Sequence, residues 1–384
     1  MSYPNHNYRK PQAQEKTQLS PSDSKLLIIV IFLLVIGIMA IFSTTAQKAI
    51  EEGINPASYV GKQLFYLGLG VLCLNKLANT DYKQISKWII LASWLVIGLL
   101  LLVEFTPLGV MAGGAKRWLQ LGPIQFQPSE FAKIAIVGLV SQAFCKDARI
   151  FCSEKVKYYI PIGIMFLLII LQPNLSMVAL IGITCIIMFL TSGGSIKELF
   201  QVMSIVILVL PFFIQGYQME RIKSFFNRNA DAEGIGYQVI QSKLAFAVGG
   251  LWGLGYGNSK QKLFWLPEAH TDFIFAIVGE EAGFLGCLLV IGLFCGLIHR
   301  GLIIASRCPD MFGKLMAFGI TTVLGLQAML NMGVTSSVLP ATGVPLPFVS
   351  YGGTSLVANM MMIGILLNIS KKRIKRINGI EERR

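Results

Sequence analysis

Charge is scarce in this chain. Asp, Glu, Lys and Arg make up 14% of its 384 residues and 54% are hydrophobic, with a mean hydropathy of +0.63. A soluble protein carries roughly 25% charged residues, so a soluble fold is excluded. Short segments of alternating hydrophobicity are also missing, which excludes a transmembrane barrel. Histidine is reduced to His6, His270 and His299, far apart, and the seven cysteines include no CxxC pair. No metal constellation of the His/Cys kind is therefore visible. No Gly-Lys-Ser/Thr closes a glycine loop; Gly253-Leu254-Gly255-Tyr256-Gly257 follows no strand and reads as a flexible turn rather than a phosphate cradle. A cleavable signal peptide is not evident either. The first 24 residues are polar, and the first apolar run, Leu26 to Phe42, is long enough to stay as an anchor.

What the chain does have is a succession of long apolar runs. They predict an all-α, polytopic membrane protein with about ten transmembrane helices. The expected spans are 26–43, 61–77, 88–105, 129–144, 158–171, 175–191, 199–216, 272–298, 314–333 and 354–370. An even number puts both tails on one side. With the tails inside, the inner segments hold 22 of the 33 Lys and Arg, so both termini are expected in the cytoplasm. The net charge of +13 then reflects orientation, and no nucleic-acid partner is expected. The organisation is a tail at 1–24, a membrane domain at 25–370 and a basic tail at 371–384, whose Lys371 to Arg376 faces anionic lipid. Residues 217–271 form one long outer loop, too long for a mere connection. Within it, Tyr237 to Val248 suits a helix lying on or dipping into the membrane.

Four stretches carry chemistry. In Leu263 to Glu281, Glu268, His270, Thr271 and Asp272 cluster ahead of Glu280 and Glu281 at the mouth of a span. An acid inside a membrane costs about 2.5 to 3.5 kcal/mol at a helix centre, so it is kept for a reason. Asp272 could simply cap the next helix, but a cap leaves the other acids and the His unexplained. Glu130 and Lys133, three apart, share one face at the start of the fourth span. Their pairing reads either as a structural ion pair or as a site. Arg117 lies just before that helix, and its planar fork suits a phosphate or pyrophosphate. The last outer loop, Val338 to Gly353, has three prolines in a rigid segment and offers the hydroxyls of Ser350 and Tyr351. Glu268, Asp272 and Glu281 could together hold a hard divalent cation such as Mg or Mn.

Five motifs in combination carry a resemblance. They are Gly114-Ala115-Lys116-Arg117-Trp118, the stretch Phe126 to Lys133, Gly236-Tyr237-Gln238 with Gln241-Ser242, the stretch Leu266 to Phe273, and Pro345 to Gly353. With these the chain resembles the SEDS family of bacterial cell-wall membrane proteins, the FtsW/RodA group, and its Pro-Glu-Ala-His form is more similar to the division branch. The resemblance implies ten spans in the cytoplasmic (inner) membrane, at the division septum. The implied activity is a peptidoglycan glycosyltransferase that polymerises lipid II on the outer face. Its implied partners are lipid II and undecaprenyl-pyrophosphate-linked glycan, a class B penicillin-binding transpeptidase and other division proteins. It maps the family's catalytic aspartate onto Asp272 and its functional basic positions onto Arg117 and Lys133. One departure stands out: where the family has an Asp after Gln-Pro and a Gly two positions on, this chain has Asn174 and Ser176.

On that reading Asp272 is the base for the acceptor hydroxyl. Arg117 and Lys133 stabilise the departing pyrophosphate, and Glu130, Glu268, His270, Glu281 and Ser350 support substrate binding. A lipid II flippase would also need charge inside a ten-helix bundle, and a non-catalytic division scaffold would need no Asp-Arg-Lys set; both stay open at this point.

Overall fold

The computed structural model describes residues 17–19, 22–112, 115–122, 124–209, 235–262 and 266–374. Each expected span coincides with a helix: α1 Ser24–Glu51, α2 Ser58–Asn79, α3 Tyr82–Phe105, α4 Pro128–Phe144, α5 Val156–Leu171, α6 Leu175–Thr191, α7 Ile196–Val209, then α9 Ile274–Arg307, α10 Met311–Thr335 and α11 Gly353–Ser370. Five of them, α1, α3, α9, α10 and α11, are long and apolar enough on their own to cross a membrane. The span expected at 199–216 is helical to Val209, and its remainder lies outside the described residues, as do both outer parts of the tails. Helix α8, Ile235–Gly249, is the one expected within the long loop, of which 217–234 is likewise outside the described residues.

The expected hairpin of two short spans is there. α5 ends at Leu171 and α6 starts at Leu175, with Asn174 at the N-cap accepting a bond from the Met177 amide at 3.4 Å. Asn thus keeps the capping function of the position.

Small residues set the closest helix contacts. A Cβ on Gly364 of α11 would fall 2.7 Å from the Leu74 carbonyl of α2, so the two backbones touch as only small residues allow. The core is apolar side chains from all of these helices, with Leu33, Leu100, Ile136, Leu139, Met165 and Phe294 fully enclosed.

Two features depart from the expectation. First, the segment between α3 and α4 is a small antiparallel sheet, β2 Gly109–Ala112, β3 Ala115–Leu121 and β4 Ile124–Phe126, in the order β2-β3-β4. (A further pair, β1 Thr17–Leu19 with β5 Lys372–Ile374, joins the two tails.) Lys116 ties this sheet to the end of α3, donating to the Glu104 and Thr106 carbonyls at 3.0 and 2.8 Å. A cation satisfying the last carbonyls of a helix is favourable on both hydrogen-bond and dipole grounds.

Second, the glycine-rich stretch expected as a flexible turn is pinned. α9 breaks its helical path at Gly283, φ 67° and ψ −165°, a conformation open to glycine. The opened turn receives residues 250–255. The Leu254 and Gly255 amides donate to the Glu280 and Glu281 carbonyls at 2.9 and 3.0 Å, and the Phe284 amide donates back to the Gly250 carbonyl at 2.8 Å. A Cβ on Gly253 would lie 2.1 Å from the Glu281 carbonyl oxygen. Gly253 is there for close backbone approach, while Gly250, Gly255 and Gly257 take up positive φ.

Candidate active site

Asp272 ends a tight coil. The amides of Thr271 and Asp272 both turn back on the Glu268 carbonyl, at 3.1 and 3.2 Å, and Glu268 itself adopts the left-handed region at φ 55°. The N-cap of α9 is Phe273, with no side-chain capping bond. Asp272 thus lies one residue before the N-cap position. It is half-buried and lines a cavity of about 30 Å3 together with Gln238 of α8, Asn331 of α10, and Thr342 and Gly343 of the last loop. Asn331 donates to the Asp272 carbonyl and to the Val344 carbonyl, both at 2.8 Å. The end of the coil and the last loop are thereby clamped together by one side chain.

One turn earlier on α10, Gln327 repeats the pattern. Its amide donates to the Pro345 carbonyl at 2.9 Å, and its oxygen accepts from Lys133 Nζ at 2.8 Å. Lys133 also pairs with Glu130 at 2.7 Å, and both are closed to solvent. Glu130, Lys133, Gln327 and Pro345 thus form one line from α4 through α10 to the last loop.

Arg117, on β3, faces the α5–α6 turn. Its Nε donates to the Gln172 carbonyl at 3.1 Å, and a terminal nitrogen bonds the Pro173 carbonyl. Ser176, two residues past Asn174, donates to the Thr342 carbonyl at 2.7 Å. The departure to Ser therefore has a consequence: its hydroxyl ties the Arg117 turn to the loop that lines the Asp272 cavity.

The remaining expected residues are distributed as follows. Ser350 accepts from the Leu346 amide at 2.8 Å and donates to the Thr271 carbonyl at 2.6 Å, bracing the last loop against the Asp272 coil. Glu268 is exposed and accepts from the Thr271 hydroxyl at 2.8 Å. The His270 ring meets the Tyr351 and Tyr59 rings at 5.7 and 6.4 Å between centroids, and burial pulls its pKa below the ordinary 6.5 against the opposing charge of Glu268. Glu281 is elsewhere. It pairs with Lys262 at 3.0 Å and accepts from Ser43 at 2.5 Å, while Glu280 accepts from the Lys260 and Gln261 amides at 2.9 and 3.3 Å. These two acids anchor the glycine-rich stretch. Among the described residues no three His, Cys, Asp or Glu side chains converge into a metal site. Glu268, Asp272 and Glu281 are accordingly not brought together as one cation site.

Gln327 and Asn331 are the positions that sequence reasoning missed. Their signal was present: two amides four residues apart in an otherwise apolar span share one helix face.

The family model for cell cycle proteins of the FtsW, RodA and SpoVE group matches residues 24–375. The chain belongs to this family. Among the FtsW/RodA/SpoVE relatives, stage V sporulation protein E of Bacillus subtilis is 36% identical over 92% of this chain and 98% of its own length. A probable peptidoglycan glycosyltransferase FtsW from Trichlorobacter lovleyi is 35% identical over 92% and 94%. Solved structures agree. A chain from a peptidoglycan synthase complex, solved in work on how such a complex coordinates polymerization and crosslinking, superposes with a TM-score of 0.73 at 28% identity, covering 91% of this chain and 97% of its own. A variant of the rod shape determining protein RodA of Thermus thermophilus superposes with a TM-score of 0.67 at 25% identity, covering 92% and 99%. Membership of the FtsW/RodA/SpoVE family makes the chain a multi-pass bacterial membrane protein.

Proposed function

We propose that this protein is a peptidoglycan glycosyltransferase that polymerises lipid II at the outer face of the cytoplasmic membrane during cell division, beside a class B penicillin-binding transpeptidase. The observation that carries the reading is Asp272: an acid just ahead of the α9 N-cap, whose carbonyl Asn331 holds, on the wall of a polar cavity. Its family membership and the activity named for its relatives support the same conclusion.

In this reading Asp272 takes the proton from the acceptor sugar hydroxyl as that oxygen attacks the anomeric carbon of the donor. The bond from that carbon to the pyrophosphate oxygen breaks, and both electrons leave with the lipid pyrophosphate. Attack from the opposite face inverts the α-linked donor to a β-1,4 linkage. The developing negative charge is met by Arg117 and by the field of Lys133, each preorganised by its partners and needing no rearrangement in the transition state. In this reading both tails lie in the cytoplasm, as the distribution of Lys and Arg favours, and the Asp272 coil is on the outer side.

The test is purified protein in detergent, with its transpeptidase if required, given lipid II. No membrane separates two sides there, so a flippase has nothing to make, whereas a polymerase yields glycan chains. A general base contributes roughly 10²- to 10⁴-fold; Asp272→Asn should lose that factor while remaining folded. Robust polymer from Asp272→Asn would remove Asp272 as the base, and translocation in vesicles with no polymer from the wild type would make the protein a flippase.

A further inference from the structure

Lys133, near the start of α4, meets Gln327 one turn from the Asp272 cavity; a second cavity, of about 240 Å3, lies at the opposite end of that helix. Phe144 and Phe189, both buried, form its floor, with ring centroids 5.4 Å apart. Its walls are partly open: Ile162 of α5, Ile186 of α6, and Leu199 and Val202 of α7 keep accessible surface. The lining is apolar apart from the Tyr159 hydroxyl, which is spent on the Ile150 carbonyl at 3.0 Å. Protein interiors leave few voids larger than a water, and an apolar cavity of about 150 Å3 stays dry and takes up hydrocarbon. This one is larger, and the helices around it present Leu167, Ile183 and Val206 to the membrane.

The rim at this end is cationic. Residues 145–157 and 192–198 carry Lys146, Arg149, Lys155, Lys157 and Lys197 against Asp147, Glu154 and Glu198. Two of the three acids are occupied. Asp147 pairs with Arg149 at 2.8 Å, and Glu198 accepts from the Ile150 amide at 2.7 Å. Lys155 is buried and builds the rim itself: its ammonium bonds the Asp147 and Arg149 carbonyls and lies 4.9 Å over the Phe144 ring. Lys157, in the first turn of α5, and Lys197, in the first turn of α7, are exposed and in no ion pair among the described residues. Their long stems let the ammonium groups reach the interface above an apolar wall.

We infer that this crevice binds one anionic glycerophospholipid, with an acyl chain laid against Phe144 and Phe189 and the headgroup phosphate held by Lys157 and Lys197. The space is too narrow for a partner's helix, which is about 10 Å across with its side chains, but it suits a single hydrocarbon chain. Charge selects among lipids: unpaired cations at the membrane surface favour an anionic headgroup over a zwitterionic one. The chain fills the gap that α7 leaves against α4, α5 and α6, so bound lipid joins α7 to the bundle. This inference is independent of the glycosyltransferase reading, since the crevice and the Asp272 cavity share no residue.

The test titrates full-length protein in detergent with dioleoylphosphatidylglycerol and, separately, with dioleoylphosphatidylcholine. Native mass spectrometry counts the bound lipids, and the melting temperature is followed in parallel. The wild type should hold one phosphatidylglycerol saturably, more tightly than phosphatidylcholine, and its melting temperature should rise with occupancy. Each surface cation contributes about fivefold, so Lys157→Gln combined with Lys197→Gln should weaken phosphatidylglycerol binding roughly thirtyfold. Val202→Trp fills the crevice and should lower the lipid count by one. Both lysines are exposed, so their double variant stays decisive even if Val202→Trp misfolds. Equal affinity for the two lipids, unchanged binding by the lysine variant, a full lipid count in folded Val202→Trp, or no saturable lipid on the wild type would each overturn the site. None of these readouts involves glycan synthesis, so the glycosyltransferase reading stands or falls separately.

Discussion

Lys133 and Glu130 form a 2.7 Å ion pair wholly closed to solvent, and the same ammonium reaches Gln327 on the neighbouring helix at 2.8 Å. A charge enclosed this completely is stable only while its partner is present. Removing one member of a buried pair costs about 3 to 5 kcal/mol, whereas replacing both with apolar groups is often neutral or stabilising.

Lys133→Met should therefore lower the melting temperature sharply, and Lys133→Met combined with Glu130→Leu should recover most of it. If Lys133 also supplies the positive field for pyrophosphate departure, the double variant stays inactive in lipid II polymerisation despite its regained stability. Recovery of activity along with stability would reduce the pair to a structural device.

Arg117 is bound by its fork to two successive carbonyls of the α5–α6 turn. Lys cannot reproduce two diverging donors. Arg117→Lys should polymerise at a reduced rate, and Arg117→Ala should lose about tenfold or more, the scale of a charge-assisted bond. Glycan chain yield from detergent-solubilised protein reads both; wild-type yield from Arg117→Ala would end its pyrophosphate role.

His270 links protonation to stability. Burial lowers its pKa from the ordinary 6.5, so the folded state binds fewer protons than the unfolded state between the lowered value and 6.5. Stability consequently rises with pH through that window and falls on acidification below 6.5. His270→Gln has no proton to gain and should flatten this slope. Melting curves across mildly acidic pH check the sign: a slope unchanged in His270→Gln would assign it to another group.

Much of this was legible in one dimension. A bilayer demands about twenty apolar residues per crossing, so ten spans could be placed from hydropathy alone, including the interrupted pair around Pro173; the helix inside the long loop was legible as well. The acids and bases that matter also declared themselves, because charge is expensive in apolar sequence. Pairings across the chain were not legible. Glu281 and Asp272 look equivalent as neighbours along the sequence. Only the fold separates them, by sending Glu281 to Lys262 and Ser43 and leaving Asp272 on the cavity. The glycine run read as slack because its partner, the opened turn of α9 at Gly283, depends on a backbone geometry that composition does not encode.

The sequence by itself determined that this is a helical membrane protein, where its spans run, and which residues pay the desolvation cost of being charged or polar among them. Tertiary structure alone decided which of those residues meet. Asn331 and Thr342 are ordinary amide and hydroxyl positions until α10 and the last loop bring them to Asp272, more than fifty residues away in sequence. The physical reason is that burial is a local tendency readable from composition, whereas a hydrogen-bond partner is a position in space, set by how the helices pack.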